Sequence, residues 1–260
     1  RRLAGPAAGL VAGGLLACYA PTIFTDALLQ KTTLALFLAV LLLWLTLCAC
    51  DVRTRTAAAA VGVALGLLIL TQQSALILAP LILVWLWWAG GALAVKQRAR
   101  LVAVVALATL VVLAPWLVRN RVVLGDWILT TPNLGQNFAM GNHPDGTGTY
   151  LPSARGKGNA EYEQQAWVAA AERAAGRPLR AAEVSDHYRD AALAWIRAHP
   201  ADWLRLTLRK LALTWGAYEA PDTEGYYLYR ARSPVLARLD PLLPFGVLAP
   251  LGVAGLALTF

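Results

Sequence analysis

The chain has 260 residues, of which 58% are hydrophobic and only 15% are charged. Its mean hydropathy of +0.53 excludes a soluble domain of ordinary composition, because such domains are about half apolar and about a quarter charged. The formal net charge is +8, but the basic residues cluster in short connections between apolar runs, so the charge does not require a nucleic-acid partner. The composition therefore predicts an integral membrane protein.

Long uncharged runs predict the membrane helices. Residues 57–95 and 101–118 contain no charged side chain, and about 18 apolar residues are enough to cross a bilayer. The run 57–95 is long enough for two crossings, and the four polar residues at 71–74 favour a turn in its middle. The predicted spans are 4–24, 33–50, 57–71, 75–95 and 101–118, with another from 241 to the end of the chain.

Basic residues mark every second connection between these spans. They are Arg1, Arg2, Arg53, Arg55, Lys96, Arg98 and Arg100. Positive residues favour the cytoplasmic side of a membrane, so the alternation puts residues 119–239 outside the cytoplasm. The predicted fold class is an all-α polytopic membrane protein: transmembrane helices over 1–118, an extracytoplasmic loop and helical region over 119–239, and a further membrane helix over 240–260.

The polar region has its own pattern. The stretch "VVLGDWILTT" alternates around Gly125-Asp126, which predicts a β-hairpin. Residues 132–159 are rich in Gly, Asn, Pro and Ser and predict a long loop. Helices are predicted over 160–175, 181–198 and 201–218. Tryptophans and arginines alternate with leucines in the last of these, which suits a helix lying in the lipid headgroup layer.

Arg119 and Arg121 lie on the side of the membrane where the alternation predicts no excess of positive charge. Two interpretations remain open: the side chains extend towards anionic lipid headgroups, or they bind the phosphate of a lipid-borne ligand, which guanidinium groups recognise bidentately. Lys31 raises the same question at the start of the second span, with an ion pair to Asp26 as the alternative.

Few residues indicate a metal or a nucleophile. The histidines are far apart in sequence, and Cys18, Cys48 and Cys50 all lie within predicted spans, so their spacing predicts no metal site and no disulfide framework. His143 lies beside Asn142 in the glycine-rich loop. A ligand-binding role and an ordinary loop residue are both compatible with that position.

Several segments together resemble a known family. They are "PWLVRN", "GNHPDGTG" and "HPADWLRLTLRKLALTW", with "YAPTIFTDALLQKTTLALFL" and "GLLILTQQSALILAP" in the membrane part. They are similar to segments of the GT-C fold membrane glycosyltransferases, which include the protein O-mannosyltransferases and the aminoarabinose transferases that act on lipid A. The similarity runs over nearly the whole chain, although each motif is short.

The resemblance implies a membrane enzyme that transfers a sugar from a polyprenyl-phosphate donor to a protein, lipid or glycan acceptor. The reaction is expected at the extracytoplasmic face of a bacterial inner membrane, among membrane lipids and without nucleic acid. Relatives differ in metal dependence, so a divalent metal cofactor stays open. The residues that fall on family positions for substrate binding are Arg119, Asn120, Asn142, His143, Lys31 and Gln72, although relatives often have Glu at the position of Lys31.

Two departures from the family pattern affect this expectation. Gln72 and Gln73 stand where many relatives have Arg or Lys before Pro, and the acidic loop that carries the family's catalytic carboxylate has no counterpart. Asp26 lies in a segment that follows that loop in relatives, so it is not assigned as the base. Since the chain starts at Arg1, we expect the acidic loop upstream of it.

Two other functions remain as alternatives. A non-catalytic member of the same fold would bind a lipid-linked sugar without transferring it. A transporter ranks third, because the interiors of the predicted spans are uncharged, whereas transporters usually carry charged or broken helices at mid-membrane depth.

Overall fold

A computed structural model describes residues 5–28, 30–149, 160–219 and 224–259. This part of the chain is helical and contains no β-strand. The helices are α1 (Gly5–Cys18), α2 (Ala20–Ala27), α3 (Thr32–Val52), α4 (Arg55–Thr71), a 3₁₀ helix (Gln73–Ile77), α5 (Leu78–Ala89), α6 (Val95–Leu124), α7 (Leu134–Gly141), α8 (Ala160–Ala175), α9 (Ala181–Ala198), α10 (Pro200–Thr214), α11 (Tyr226–Arg230), α12 (Pro234–Leu239) and α13 (Phe245–Thr259).

The chain divides into two compact units. The first unit comprises Lys31–Asn133 with Arg180–Glu183. The second unit comprises the described residues of Arg1–Gln30, Leu134–Leu179 and Val184–Phe260. The predicted division of the chain at residues 118 and 239 stays a prediction.

Helix α4 forms the core of the first unit, because it packs against both α3 and α6. Gly62 and Gly66 on α4 allow the backbone of α6 to approach closely: a Cβ atom on Gly62 would lie 2.4 Å from the carbonyl oxygen of Val105, and one on Gly66 would lie 2.7 Å from Cβ of Val112. Small residues four apart are a common device for packing apolar helices. The hydroxyl of Thr109 also donates to the carbonyl of Gly62 at 3.0 Å.

The paired positions show how these helices run. Residue numbers rise together in the α4 and α6 contacts, so these two helices are parallel. Helix α3 is joined to α4 by Arg53 and Thr54 alone and packs along it, so α3 is antiparallel to both. The start of α3, residues 72–74 and the end of α6 therefore share one end of the unit, here named the Arg119 end.

The opposite end carries a cluster of basic side chains. It is formed by the α3–α4 connection and the start of α6, with Arg53, Arg55, Lys96, Arg98 and Arg100. This is the separation of charge that the alternating connections predict for these four helices. Arg98 lies over the Trp87 ring, with its Cζ 5.4 Å from the ring centroid.

The apolar helices match the predicted spans in part. Helices α3, with 21 residues, and α6, with 30, are each long and apolar enough to cross a membrane. Helices α1 and α2 reach that length only together, with a bend of 58° between them, in the region where a span over 4–24 was predicted. The break predicted at 71–74 is confirmed, since α4 ends at Thr71 and a 3₁₀ helix begins at Gln73.

The predicted hairpin around Gly125 is wrong. Val122–Leu124 continue α6, Gly125 ends the helix in the left-handed conformation with φ +75°, and the described residues after it form no strand. A glycine adopts this conformation without the Cβ clash that other residues incur. The alternating pattern on both sides of Gly125 therefore spans the end of a helix and an irregular segment.

The long loop predicted at 132–159 is also partly wrong, because it contains α7. Residues 150–159 lie outside the described part of the chain. Gly135 brings α7 against α9: a Cβ atom there would lie 1.7 Å from the carbonyl oxygen of Ser185, and the Gly135 amide donates to the Ser185 hydroxyl at 2.9 Å. This close packing against α9 explains why a segment that contains glycine forms a helix here.

Helices α8, α9 and α10 of the second unit follow the prediction more closely. Helices α8 and α9 have the predicted limits, and α10 begins at Pro200 and ends at Thr214, before the predicted end at residue 218. One face of α10 exposes a row of apolar side chains, namely Leu204, Leu208, Leu211 and Trp215. Its place in the headgroup layer stays a prediction.

Candidate functional site

The Arg119 end is organised by the last turns of α6 and by the segment that follows it. Trp116 donates from Nε1 to the carbonyl of Thr130 at 2.6 Å. Asn120 donates from Nδ2 to the same carbonyl at 3.1 Å and to the carbonyl of Ile128 at 2.7 Å. These bonds fold the chain back against the end of α6.

Arg119 is exposed on this scaffold. Its Cζ lies 5.0 Å from the centroid of the Trp116 ring, and its Nη1 donates to Oδ1 of Asn120 at 3.1 Å. In the described part of the chain no carboxylate lies within ion-pair distance of it. Its guanidinium therefore keeps N–H groups that can donate hydrogen bonds to an incoming anion.

Asn120 is buried, whereas a ligand-binding side chain must be accessible to the ligand. Its exposed fraction is 1%, and both its amide nitrogen and its amide oxygen are engaged by protein atoms. Buried polar groups that are fully bonded hold structure together. Asn120 is thus positioned to orient Arg119 and residues 128–130.

Gln72 and Lys31 lie at the same end of the first unit. Gln72 donates from Nε2 to the Ser74 hydroxyl at 3.0 Å, and Lys31 precedes the first turn of α3 with an exposed side chain. Gln73, which is not among the predicted binding residues, accepts from the Thr131 hydroxyl at 2.9 Å. This bond links the break after α4 to the segment held by Trp116 and Asn120.

Asp126 is the carboxylate that follows Arg119 most closely in the sequence. It is buried, with an exposed fraction of 9%. Its oxygens bind the Arg180 guanidinium at 2.7 Å and the backbone amide of Ala182 at 3.4 Å. The charge of Asp126 is therefore compensated by Arg180.

An apolar groove lies between α3 and α5 in the first unit. It has a volume of about 350 Å³ and includes Leu42, Leu81 and Trp85. Its lining is almost entirely hydrocarbon, so it suits an apolar chain rather than a polar ligand.

Asn142 and His143 lie in the second unit, in the loop after α7. The Asn142 side chain accepts from Trp203 Nε1 at 3.0 Å and from Lys210 Nζ at 3.4 Å, and donates to the carbonyl of Phe138 at 2.8 Å. Lys210 also donates to the carbonyl of Gly141. Partial burial lowers the pKa of Lys210. Asn142 thus fastens the loop to α10.

His143 lines a cavity of about 320 Å³ together with side chains from α9 and α10. Trp195, His199 and Arg209 are not among the binding residues predicted from the sequence, because only the packing of the helices brings them to the loop. The six predicted residues therefore divide between the units: Arg119, Asn120, Lys31 and Gln72 share one end of the first unit, and Asn142 and His143 adjoin one another in the second.

The described residues contain no group of three or more His, Cys, Asp or Glu side chains able to hold a metal ion. Comparisons with protein-family models, with curated proteins and with solved structures found no match. The geometry of the two units therefore carries the functional argument.

Proposed function

We propose that the chain is a multi-spanning membrane glycosyltransferase of the GT-C type, which takes a sugar from a polyprenyl-phosphate donor bound at Arg119. The observation that carries the proposal is the exposed, oriented guanidinium of Arg119, which has no carboxylate partner in the described part of the chain. The resemblance of "PWLVRN" and its neighbouring segments to that family supports the same assignment.

The depth of Arg119 fits a lipid phosphate. The uncharged residues 101–118 precede it on α6, and at 1.5 Å per residue they extend about 27 Å. The hydrocarbon core of a bilayer is about 30 Å thick. Arg119 would thus lie at the level of the headgroup phosphates, and the basic residues at the opposite end of the unit favour the cytoplasmic side for that end.

The apolar groove between α3 and α5 supports a lipid-linked donor. It lies along the middle of α3, with Leu42 and Thr46 among its lining residues. A polyprenyl chain placed there would stay at hydrocarbon depth, while its phosphate lies at the membrane surface near Arg119.

Arg119 would act on the leaving group. During transfer the bond between the anomeric carbon and the phosphate oxygen breaks, and negative charge grows on the polyprenyl phosphate. An acceptor hydroxyl forms the new bond and gives its proton to a general base. A guanidinium stabilises the growing charge and so lowers the barrier.

A second candidate function is binding of a lipid-linked sugar without transfer. The position of Asp126 favours it, since this carboxylate is buried and paired with Arg180 rather than exposed to an acceptor. The two functions differ in one observable: both require the donor to bind, but only the transferase forms a new glycosidic bond.

The test uses the full chain in proteoliposomes with a radiolabelled polyprenyl-phosphate sugar and a mixture of lipid, glycan and peptide acceptors. We expect Arg119→Ala to abolish both donor binding and transfer, and Arg119→Lys to restore only part, because a lysine lacks the bidentate geometry. Arg121→Ala is the matched control, since Arg121 is also exposed but bonds its own helix end at Gly125.

The outcomes separate the candidates. Transfer lost with Arg119→Ala and kept with Arg121→Ala supports the transferase. Donor binding that depends on Arg119 without any transfer supports the binder. Donor binding unchanged in Arg119→Ala would refute both.

A further inference from the structure

The cavity beside His143 in the second unit has a shape and a chemistry of its own. It lies where the loop after α7 meets the end of α9 and the part of α10 up to Arg209, and its volume is about 320 Å³. Ligand pockets range from about 300 to 1,000 Å³. The cavity is therefore large enough for one small ligand.

Positive charge dominates the cavity wall. Arg205 is paired with Asp202 at 2.8 Å, whereas no described carboxylate lies within ion-pair distance of Arg209. Asp202 is the only carboxylate among the described residues that line the cavity. His143 and His199 add two imidazole rings. After the Asp202 ion pair is counted, the guanidinium of Arg209 remains available for an anion.

The rest of the wall includes aromatic and apolar side chains. Trp195 and His199 stack with ring centroids 6.2 Å apart and planes at 24°. Leu206 is 7% exposed and closes one side. An aromatic surface of this kind covers the C–H face of a ring, while its polar neighbours bond the ring's substituents.

A metal ion does not fit the same wall. His143, His199 and Asp202 line the cavity, but among the described residues no three such side chains are near enough to share an ion. The two guanidinium groups would also repel a cation. The ligand that complements this cavity is an anion attached to a ring.

We propose that this cavity binds an anionic sugar: a single sugar ring carrying a phosphate or carboxylate group. The anionic group lies on Arg209 with help from the histidines, the ring lies on Trp195, and the ring hydroxyls bond Asp202 and Arg205. The proposal uses only residues of the second unit and is independent of whether Arg119 binds a donor.

The test measures binding to the full chain in detergent micelles by isothermal titration calorimetry. Four probes separate the contributions: a hexose 6-phosphate, a hexuronate, the uncharged hexose and inorganic phosphate. We expect a hexose 6-phosphate or a hexuronate to bind at least tenfold more tightly than the hexose and inorganic phosphate. Preference between the two anionic sugars identifies which anion the site takes.

Two pairs of variants locate the site. Arg209→Gln should weaken binding at least tenfold, whereas Arg197→Gln, an exposed arginine of α9 outside the cavity wall, should leave it unchanged. Trp195→Leu should weaken binding, whereas Trp215→Leu, at the exposed end of α10, should not. Arg209→Lys keeps the charge and should retain part of the affinity, which guards against a folding defect.

Three results would overturn the proposal. The first is equal binding by the uncharged hexose, which would remove the role of the anion. The second is equal binding by inorganic phosphate, which would remove the role of the ring. The third is equal loss in Arg209→Gln and Arg197→Gln, which would place the binding elsewhere. None of these results depends on Arg119, so they do not affect the proposed transferase.

Discussion

Arg119 stacks on Trp116, with the guanidinium carbon 5.0 Å from the centroid of the indole ring. Trp116 is itself fixed, because its Nε1 donates to the carbonyl of Thr130 at 2.6 Å. The arginine is therefore oriented before any ligand arrives. A side chain that is already ordered loses less conformational entropy on binding an anion.

Replacement of Trp116 should weaken donor binding without removing any charge. Stacking of a cation on an exposed ring contributes about 0.5–1 kcal/mol, so Trp116→Leu should raise the dissociation constant for the polyprenyl-phosphate sugar about two- to fivefold. Trp116→Phe keeps a ring and should fall between Trp116→Leu and the unchanged protein. Equal affinity in all three proteins, measured by donor binding to proteoliposomes, would rule out orientation by Trp116.

Asn120 should be important for stability as well as for activity. Loss of its amide leaves the carbonyl of Ile128 without this donor and removes one of the two donors to the carbonyl of Thr130, and an unsatisfied buried group costs about 1–3 kcal/mol. Asn120→Asp should be at least as damaging as Asn120→Ala, since it places a carboxylate against two carbonyl oxygens. Unfolding in mixed micelles measures the effect, and hydrogen exchange over 126–131 localises it. The exposed Asn137→Ala is the control, and an equal loss there would refute this role.

Gly62 tests the contact between α4 and α6. A methyl group on Gly62 would lie 2.4 Å from a backbone oxygen, which cannot move without displacing α6. Overpacking of this kind costs about 1–3 kcal/mol, so Gly62→Ala should lower the free energy of unfolding by that amount. Gly252→Ala is the matched control: it lies within α13 with no atom within 4 Å of the new methyl group. Alanine is favoured over glycine in helices, so that variant should be neutral or slightly stabilised.

Glu219 should make stability depend on pH. Burial raises the pKa of its carboxyl group above the ordinary value of 4.5, with a further increase from Asp240, against the effect of a hydrogen bond from Tyr19. Because the pKa is higher in the folded than in the unfolded state, the protonated carboxyl group contributes to the free energy of unfolding. This contribution is fully present below pH 4.5 and is lost as the pH rises through the raised pKa. Unfolding measured from pH 4 to pH 8 should show this loss, and Glu219→Gln should remove it. If the free energy of unfolding changed equally with pH in Glu219→Gln and in the unchanged protein, other groups would be the cause. Glu224→Gln is the control, because Glu224 is exposed.

Much of the first unit could be predicted from hydropathy. The uncharged runs and the polar residues 71–74 predict α3, α4 and the break after α4, because apolar length and turn residues act locally. The shared end of Lys31, Gln72 and Arg119 follows from the alternating direction of these helices. The hairpin prediction failed because α6 continues past Arg119 to Leu124, and nothing in the local alternation separates a helix end from a strand.

The contacts within the second unit could not be predicted from hydropathy or local patterns. Asn142 meets Trp203 across 61 residues of sequence, and His143 joins Trp195 and Arg209 at one cavity. Contacts of this kind depend on how α7, α9 and α10 pack, which no local pattern encodes. Burial also depends on how the helices pack. Asn120 is buried and Arg119 is exposed, so the two residues have different roles although they are neighbours in sequence.

The parallel contact of α4 with α6 has a consequence for biogenesis. Gly62 and Gly66 of α4 pack against α6, and α6 emerges from the ribosome only after α5 has been made. During synthesis the carbonyl of Gly62 and the hydroxyl of Thr109 can therefore bond only after α5 and most of α6 have been made. We expect a truncated nascent chain that ends before α6 to be less stable and more readily degraded, because Gly62 and Gly66 of α4 then lack their partner helix.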